Sequence, residues 1–153
     1  MDIFKDWLNE IIIAALTAIS IFAFTKYLHP FILGVLQRTP SLTGTWDGYD
    51  IGEDGREQLK SRMEVKQLGT NISASVSRRT GNGTERVFEY DGTISSRQVL
   101  LIWKEKRSNG YNMGTMTLLL SGDLMTLKGK STFNHHDIGK IVSQDRIYRK
   151  LIS

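Results

Sequence analysis

A chain of 153 residues supports one ordinary domain, or one small domain with an appendage. Its formal charge is +4, from 20 Lys and Arg against 16 Asp and Glu, a mild excess that suits an anionic ligand or a membrane surface. The absence of cysteine excludes disulfide frameworks, zinc–cysteine sites and thiol nucleophiles.

Residues 1–38 hold three basic and three acidic residues (Lys5, Lys26 and Arg38; Asp2, Asp6 and Glu10), so the whole excess lies in 39–153. Fifteen uncharged residues separate Glu10 from Lys26. That is short of the roughly 20 apolar residues a membrane span needs, but Trp7 and Tyr27 flank the run. Twenty positions cover about 30 Å of helix, close to the hydrocarbon thickness. Aromatic residues at both ends and a Lys26 able to snorkel resemble an interface belt. A span over about 7–28 is therefore predicted, with a Pro30-kinked extension through FILGVL to residue 36. A cleaved signal peptide fits less well, because the start is as acidic as it is basic and no small-residue cleavage site follows. A buried helix of a soluble domain would show an apolar stripe rather than apolarity all round. Lys26 and Arg38 on the C-terminal side, against Lys5 on the other, predict residues 39–153 in the cytoplasm.

From residue 42 the sequence breaks into short runs separated by turn chemistry. Strands are predicted near 42–51, 58–67, 70–79, 85–91, 94–105, 111–121, 124–131 and 143–150. Leu68-Gly69, Asp91-Gly92 and Ser121-Gly122-Asp123 read as tight hairpin turns. Longer links fall between them, at 52–57, 80–84, 107–110 and 132–141. No crossover helix separates any pair, so the domain is predicted to be all-β and antiparallel. Eight strands in meander order close into an up-and-down β-barrel, with an open sandwich as the alternative. In such a barrel alternate connections lie at opposite ends. The tight turns then share an end with the N-terminal segment, and the long glycine-bearing loops crown the far end as a mouth.

The stretch LTGTWDGYD (42–50), followed by these strands, resembles two families. One is the lipocalin-like barrel, whose Gly-x-Trp plugs the closed end; the resemblance implies that Trp46 packs on Arg146 or Arg149. The other, with the hydrophobic N-terminus added, is the transmembrane β-barrel effectors of bacterial anti-phage defence, found beside cyclic-nucleotide synthases of the SMODS type. That family generally carries two spans, and this chain has one clear span. The second resemblance implies a cyclic di- or oligonucleotide held by the barrel. It also implies homo-oligomeric assembly of the membrane segments that breaches the inner membrane, with the ligand either triggering or restraining the response. A tethered carrier or scaffold for an apolar molecule or a protein partner is the alternative.

A cyclic dinucleotide needs cations for its phosphates and flat surfaces for its bases. Near the expected mouth lie Tyr49, Arg78, Arg79, Arg86, Tyr90, Trp103, Lys104, Tyr111 and Lys128. Period-two alternation selects among them. Arg78 continues the face of Ile72, Ala74 and Val76, and Trp103 that of Val99 and Leu101. Arg86 and Tyr90 alternate with Phe88, and Tyr111 begins the next strand. Arg78, Trp103, Tyr111, Arg86, Tyr90, Tyr49 and Lys128 form the expected ligand set.

No enzyme, metal or cofactor is expected, nor a DNA or RNA polymer as partner. Asn134-His135-His136-Asp137 is the one cluster with metal-ligand chemistry and reads as a solvated loop. Three histidines supply no nucleophile, base and orienting acid. TGNGT (80–84) lacks the lysine and following helix of a phosphate-cradling loop.

Overall fold

The structure is a computed structural model that describes residues 2–36, 39–52, 55–79, 83–107, 112–135 and 139–152. Helix α1 spans Asp2–Ala23, a π-turn follows at Phe24–Leu28, and helix α2 spans His29–Leu36. The π-turn answers a local problem. Pro30 has no N–H and crowds the preceding turn, and a π-turn loosens the helix where that crowding falls. The His29 N–H bonds the Phe24 carbonyl, five residues back. Thr17, Ser20 and Thr25 return their hydroxyls to carbonyls of their own helix, which leaves their outward surfaces apolar.

Trp7–Leu36 is one continuous helical run of 30 residues, its most apolar stretch wholly unburied, and it is long and apolar enough to cross a membrane. At 1.5 Å per residue it measures about 45 Å, more than the hydrocarbon needs. The surplus is explained at its C-terminal end, where α2 meets the barrel. The Thr70 N–H donates to the Pro30 carbonyl at 3.1 Å, and Phe31, Gly34 and Val35 share a cleft with Gln67 and Gly69.

The strands are β1 Gly44–Ile51, β2 Glu57–Leu68, β3 Asn71–Arg79, β4 Glu85–Ser95, β5 Gln98–Glu105, β6 Met113–Leu120, β7 Thr126–His135 and β8 Lys140–Lys150. Each pairs antiparallel with the next, and β8 returns to β1 through pairs such as Trp46 with Lys150 and Asp50 with Arg146. The barrel is closed, as the meander reading required, and no free sheet edge remains among the described residues. The short connections 69–70, 96–97 and 121–125 lie at the α2 end, and the other ends of the strands form the mouth.

Two boundaries differ from the sequence reading. Asp91-Gly92 is not a turn: β4 continues to Ser95, and the hairpin is Ser96-Arg97, with Ser96 at φ 56°. Gly92 serves close approach instead, since a Cβ there would lie 1.9 Å from the Leu100 carbonyl oxygen. The long link 132–141 is mostly ladder, because Phe133, Asn134 and His135 pair with Val142, Ile141 and Lys140.

Side chains fill the α2 half of the interior. Met63, Ile94, Val99, Met116, Leu118 and Leu127 are buried there around Trp46, which is 0% exposed. The indole Nε1 donates to the Leu42 carbonyl at 2.8 Å. The cation over its ring is Lys150, with Nζ 5.5 Å from the centroid, so neither expected arginine fills that role. Arg149 faces outward over Tyr49, and Arg146 sits two residues nearer the mouth than Tyr148, on the inner face. Gln67 closes the same end by accepting from the Leu42 N–H at 2.7 Å and donating to the Pro40 and Gly69 carbonyls.

Candidate ligand-binding cavity

The packed interior stops partway up the barrel, and above it lies a cavity of about 210 Å³. Three arginines reach it from three strands: Arg78 at the end of β3, Arg86 at the start of β4, and Arg146 on β8. Phe88, Tyr90, Trp103, Phe133 and Tyr148 line the rest, with Asn112, Ser131 and Gln144 among the polar groups.

Alternation places them. Inward positions on β3 run Ile72, Ala74, Val76, Arg78, so the apolar face ends in a guanidinium where the wall reaches the mouth. Arg86 lies directly across from Arg78 in the ladder. On β5 the inward series Val99, Leu101, Trp103 ends at Glu105. Trp103 is 6% exposed and packs edge-on to Phe88 at 5.5 Å between centroids, with Phe133 at 5.9 Å and Tyr90 at 6.2 Å. Its Nε1 donates to Ser131 Oγ at 3.1 Å, which fixes the ring plane. Gly114 makes room for the ring on β6, where a Cβ would come within 2.7 Å of Trp103 Cζ2.

The electrostatics are uneven. Arg86 has its own carboxylate: Nε and Nη2 each meet a Glu105 oxygen at 2.7 Å, a two-pronged bond that Asn112 Nδ2 braces at 2.9 Å. That bond holds Glu105 below and Arg86 above its ordinary pKa. Arg78 and Arg146 instead share one carboxylate, Asp50, which both guanidiniums grip. The Arg146 side chain is only 11% exposed and Arg78 30%. Burial lowers the pKa of both, so both guanidiniums have lost hydration. Tyr90 and Tyr148 are hydrogen-bonded to each other beneath them, and burial raises both phenols. The result is a partly dehydrated pair of cations sharing a single anion, set over an aromatic floor.

Of the expected ligand set, the structure brings Arg78, Arg86, Tyr90 and Trp103 into this cavity. Tyr49 is on the outer wall, beneath the Arg149 guanidinium at 4.9 Å, because the inward position at that height is Asp50. Lys128 is exposed on the outside of β7, between inward Leu127 and Gly129. Tyr111 lies outside the described residues, as do His136 and Asp137 of the histidine cluster. Among the described residues no three carboxylates or imidazoles converge as metal ligands. Sequence reasoning missed Asp50, Arg146 and Tyr148. The signal was available, since Gln144, Arg146 and Tyr148 alternate on β8 and Asp50 continues the face of Trp46.

No protein-family model matches this chain, and no curated protein does. Solved structures share its fold. The redesigned β-barrel b11L5F_LGL is 13% identical, with a TM-score of 0.57, covering 78% of this chain and 96% of its own. The barrel EF1p2_mFAP2b bound to DFHBI is 10% identical, with a TM-score of 0.58, covering 72% and 94%. Similarity at this level concerns the barrel alone.

Proposed function

We propose that this protein is a membrane-anchored sensor whose barrel binds a cyclic di- or oligonucleotide and whose N-terminal helix delivers the response. One observation carries the reading: Arg78 and Arg146 share Asp50 above a floor that includes Trp103. A phosphate takes the place of Asp50 between the two guanidiniums, in the geometry a guanidinium fork favours. A base supplies the flat partner for the aromatic wall. An apolar cargo would leave both guanidiniums dehydrated with nothing gained, which weighs against a lipocalin-like carrier. That EF1p2_mFAP2b holds DFHBI supports a single small ligand for a barrel of this kind.

Size refines the proposal. At about 210 Å³ the cavity falls below the roughly 300–1,000 Å³ of drug-sized ligand sites. It suits one nucleotide unit, phosphate on the arginines and base against Trp103, with the second unit across the mouth. Residues 7–28 cross the inner membrane in this reading, and the barrel lies in the cytoplasm. The resemblance to anti-phage effectors supplies the output, in which assembly of the helices breaches that membrane.

The test is calorimetric titration of the full-length protein in detergent with cyclic di- and trinucleotides, mononucleotides and an uncharged aromatic dye. Saturable binding confined to the phosphate-bearing ligands is expected. Preference for the uncharged dye would favour the carrier and end the nucleotide reading.

A further inference from the structure

We propose that the outer face of β5 and β6 is a self-association surface, on which a second copy docks about a two-fold axis parallel to the barrel axis. The outward residues of these two strands are unlike the rest of the wall. Leu100, Ile102, Met113 and Leu119 are 50–60% exposed. Thr115 and Thr117 fill the spaces between them, paired with Ile102 and Leu100 across the ladder. Along the middle of β2 and β3 the outward residues are polar, Arg62, Glu64, Lys66, Ser73 and Ser75, and other exposed apolar residues, such as Leu59 and Ile141, lie nearer the mouth. A contiguous apolar face with a polar border marks an interaction site.

The border identifies the partner. The β4 flank is acidic, with Asp91 beside Ile102 in the ladder. The β7 flank is basic, with Lys128 beside Leu119. Neighbouring charges are already matched, Glu89 with Lys104 and Lys106, and Lys130 with Asp145. No described residue forms an ion pair with Asp91 or Lys128. A two-fold axis parallel to the barrel axis sets β4 of one copy against β7 of the other, so each copy's free acid meets its partner's free base on both flanks. The same operator keeps both α2-bearing ends on one side, as two chains in one bilayer require. An axis across the barrel would send the two N-terminal helices in opposite directions.

Magnitude decides when the contact forms. Four strands about 4.8 Å apart and some six residues long present roughly 400 Å², half of the roughly 800 Å² per partner in a standard interface. Copies free in solution therefore associate weakly, and copies confined to one membrane associate through raised effective concentration. The common orientation of the helices rests on the membrane reading above; the face does not depend on the nucleotide, so it is tested without one.

The natural chain has no cysteine, so Thr117→Cys gives a unique reporter at the centre of the face and Glu64→Cys, exposed on β2, a control on the opposite wall. Each full-length variant, in native membranes, is treated with a short bis-maleimide. Dimer from Thr117→Cys should exceed the control by roughly tenfold or more. Ile102→Asp added to the reporter should return it to the control level, with the circular dichroism spectrum unchanged because Ile102 is exposed. Asp91→Lys should lower crosslinking about two- to fivefold, and adding Lys128→Asp should restore it. Equal crosslinking from Thr117→Cys and Glu64→Cys would overturn the surface. So would a thiol in Thr117→Cys that is shielded from maleimide yet gives no dimer, which assigns the face to lipid or another protein. Failure of the charge exchange to restore crosslinking would overturn the axis. Nucleotide titrations fail or succeed independently of each result.

Discussion

Asp50→Asn probes the cavity where its charges are least balanced. The substitution removes the one carboxylate between Arg78 and Arg146 and leaves the shape nearly intact. Breaking a fully buried pair costs about 3–5 kcal/mol. Asp50 is 22% exposed and Arg78 30%, so water recovers part of that. About 1–3 kcal/mol remains, in the range of a buried polar group left unsatisfied. At roughly 4 °C per kcal/mol for a domain of this size, the melting temperature should fall by about 4–12 °C. Ligand affinity should move the opposite way, because Asp50 occupies the donors a phosphate would use. Relief of that competition, taken as about 1.4 kcal/mol, tightens binding about tenfold. Thermal melts of the full-length protein, with and without the tightest ligand, measure both effects, and the ligand should raise the variant's Tm more than the natural protein's. An unchanged Tm with weaker binding would refute the reasoning, since it would make Asp50 a contact to the ligand rather than a stand-in for its phosphate.

Trp103→Ala should weaken nucleotide binding about tenfold or more, since a base stacked on an aromatic is worth roughly 1–3 kcal/mol; titration of the folded variant reads this. Gly92→Ala should abolish or severely destabilise the barrel by melting, because its Cβ would strike the Leu100 carbonyl, whereas a glycine in an open turn would tolerate the change. Glu105, held below its ordinary pKa chiefly by Arg86, contributes stability that is present above the unfolded carboxylate value of about 4.3 and lost as pH falls through its lower folded value. Glu105→Gln should therefore melt below the natural protein at about pH 7 and converge with it towards about pH 3. Ala14→Leu with Ala18→Leu should blunt toxicity on expression without loss of membrane insertion, because these i, i+4 residues offer close helix packing; full toxicity would remove helix association from the response.

The barrel was legible because closure of an antiparallel meander leaves its marks locally. Turn residues, period-two alternation and alternating loop lengths gave strand number, order and the end that opens. Asp91-Gly92 misled because a glycine chosen for contact with Leu100 and one chosen for a turn look alike without knowledge of the neighbouring strand. Alternation likewise recovered Arg78, Arg86, Tyr90 and Trp103, since each continues an apolar face on its own strand. Asp50 and Arg146 were harder. Their significance is their meeting, which depends on closure of β8 onto β1, and 96 positions of sequence separate them. Tyr49 was drawn in by residue type and height against its parity, and Lys128 by residue type alone, since it lies three residues past the 121–125 turn at the α2 end.

The central claim is that a phosphate sits between Arg78 and Arg146, and a crystal structure of the barrel with the tightest-binding cyclic nucleotide tests it most directly. The expected result is one phosphate within hydrogen-bond distance of both guanidiniums, Asp50 turned away, and one base lying against Trp103. A nucleotide bound on the outer wall, or seated in the cavity with the Arg78–Asp50–Arg146 cluster undisturbed, would contradict it.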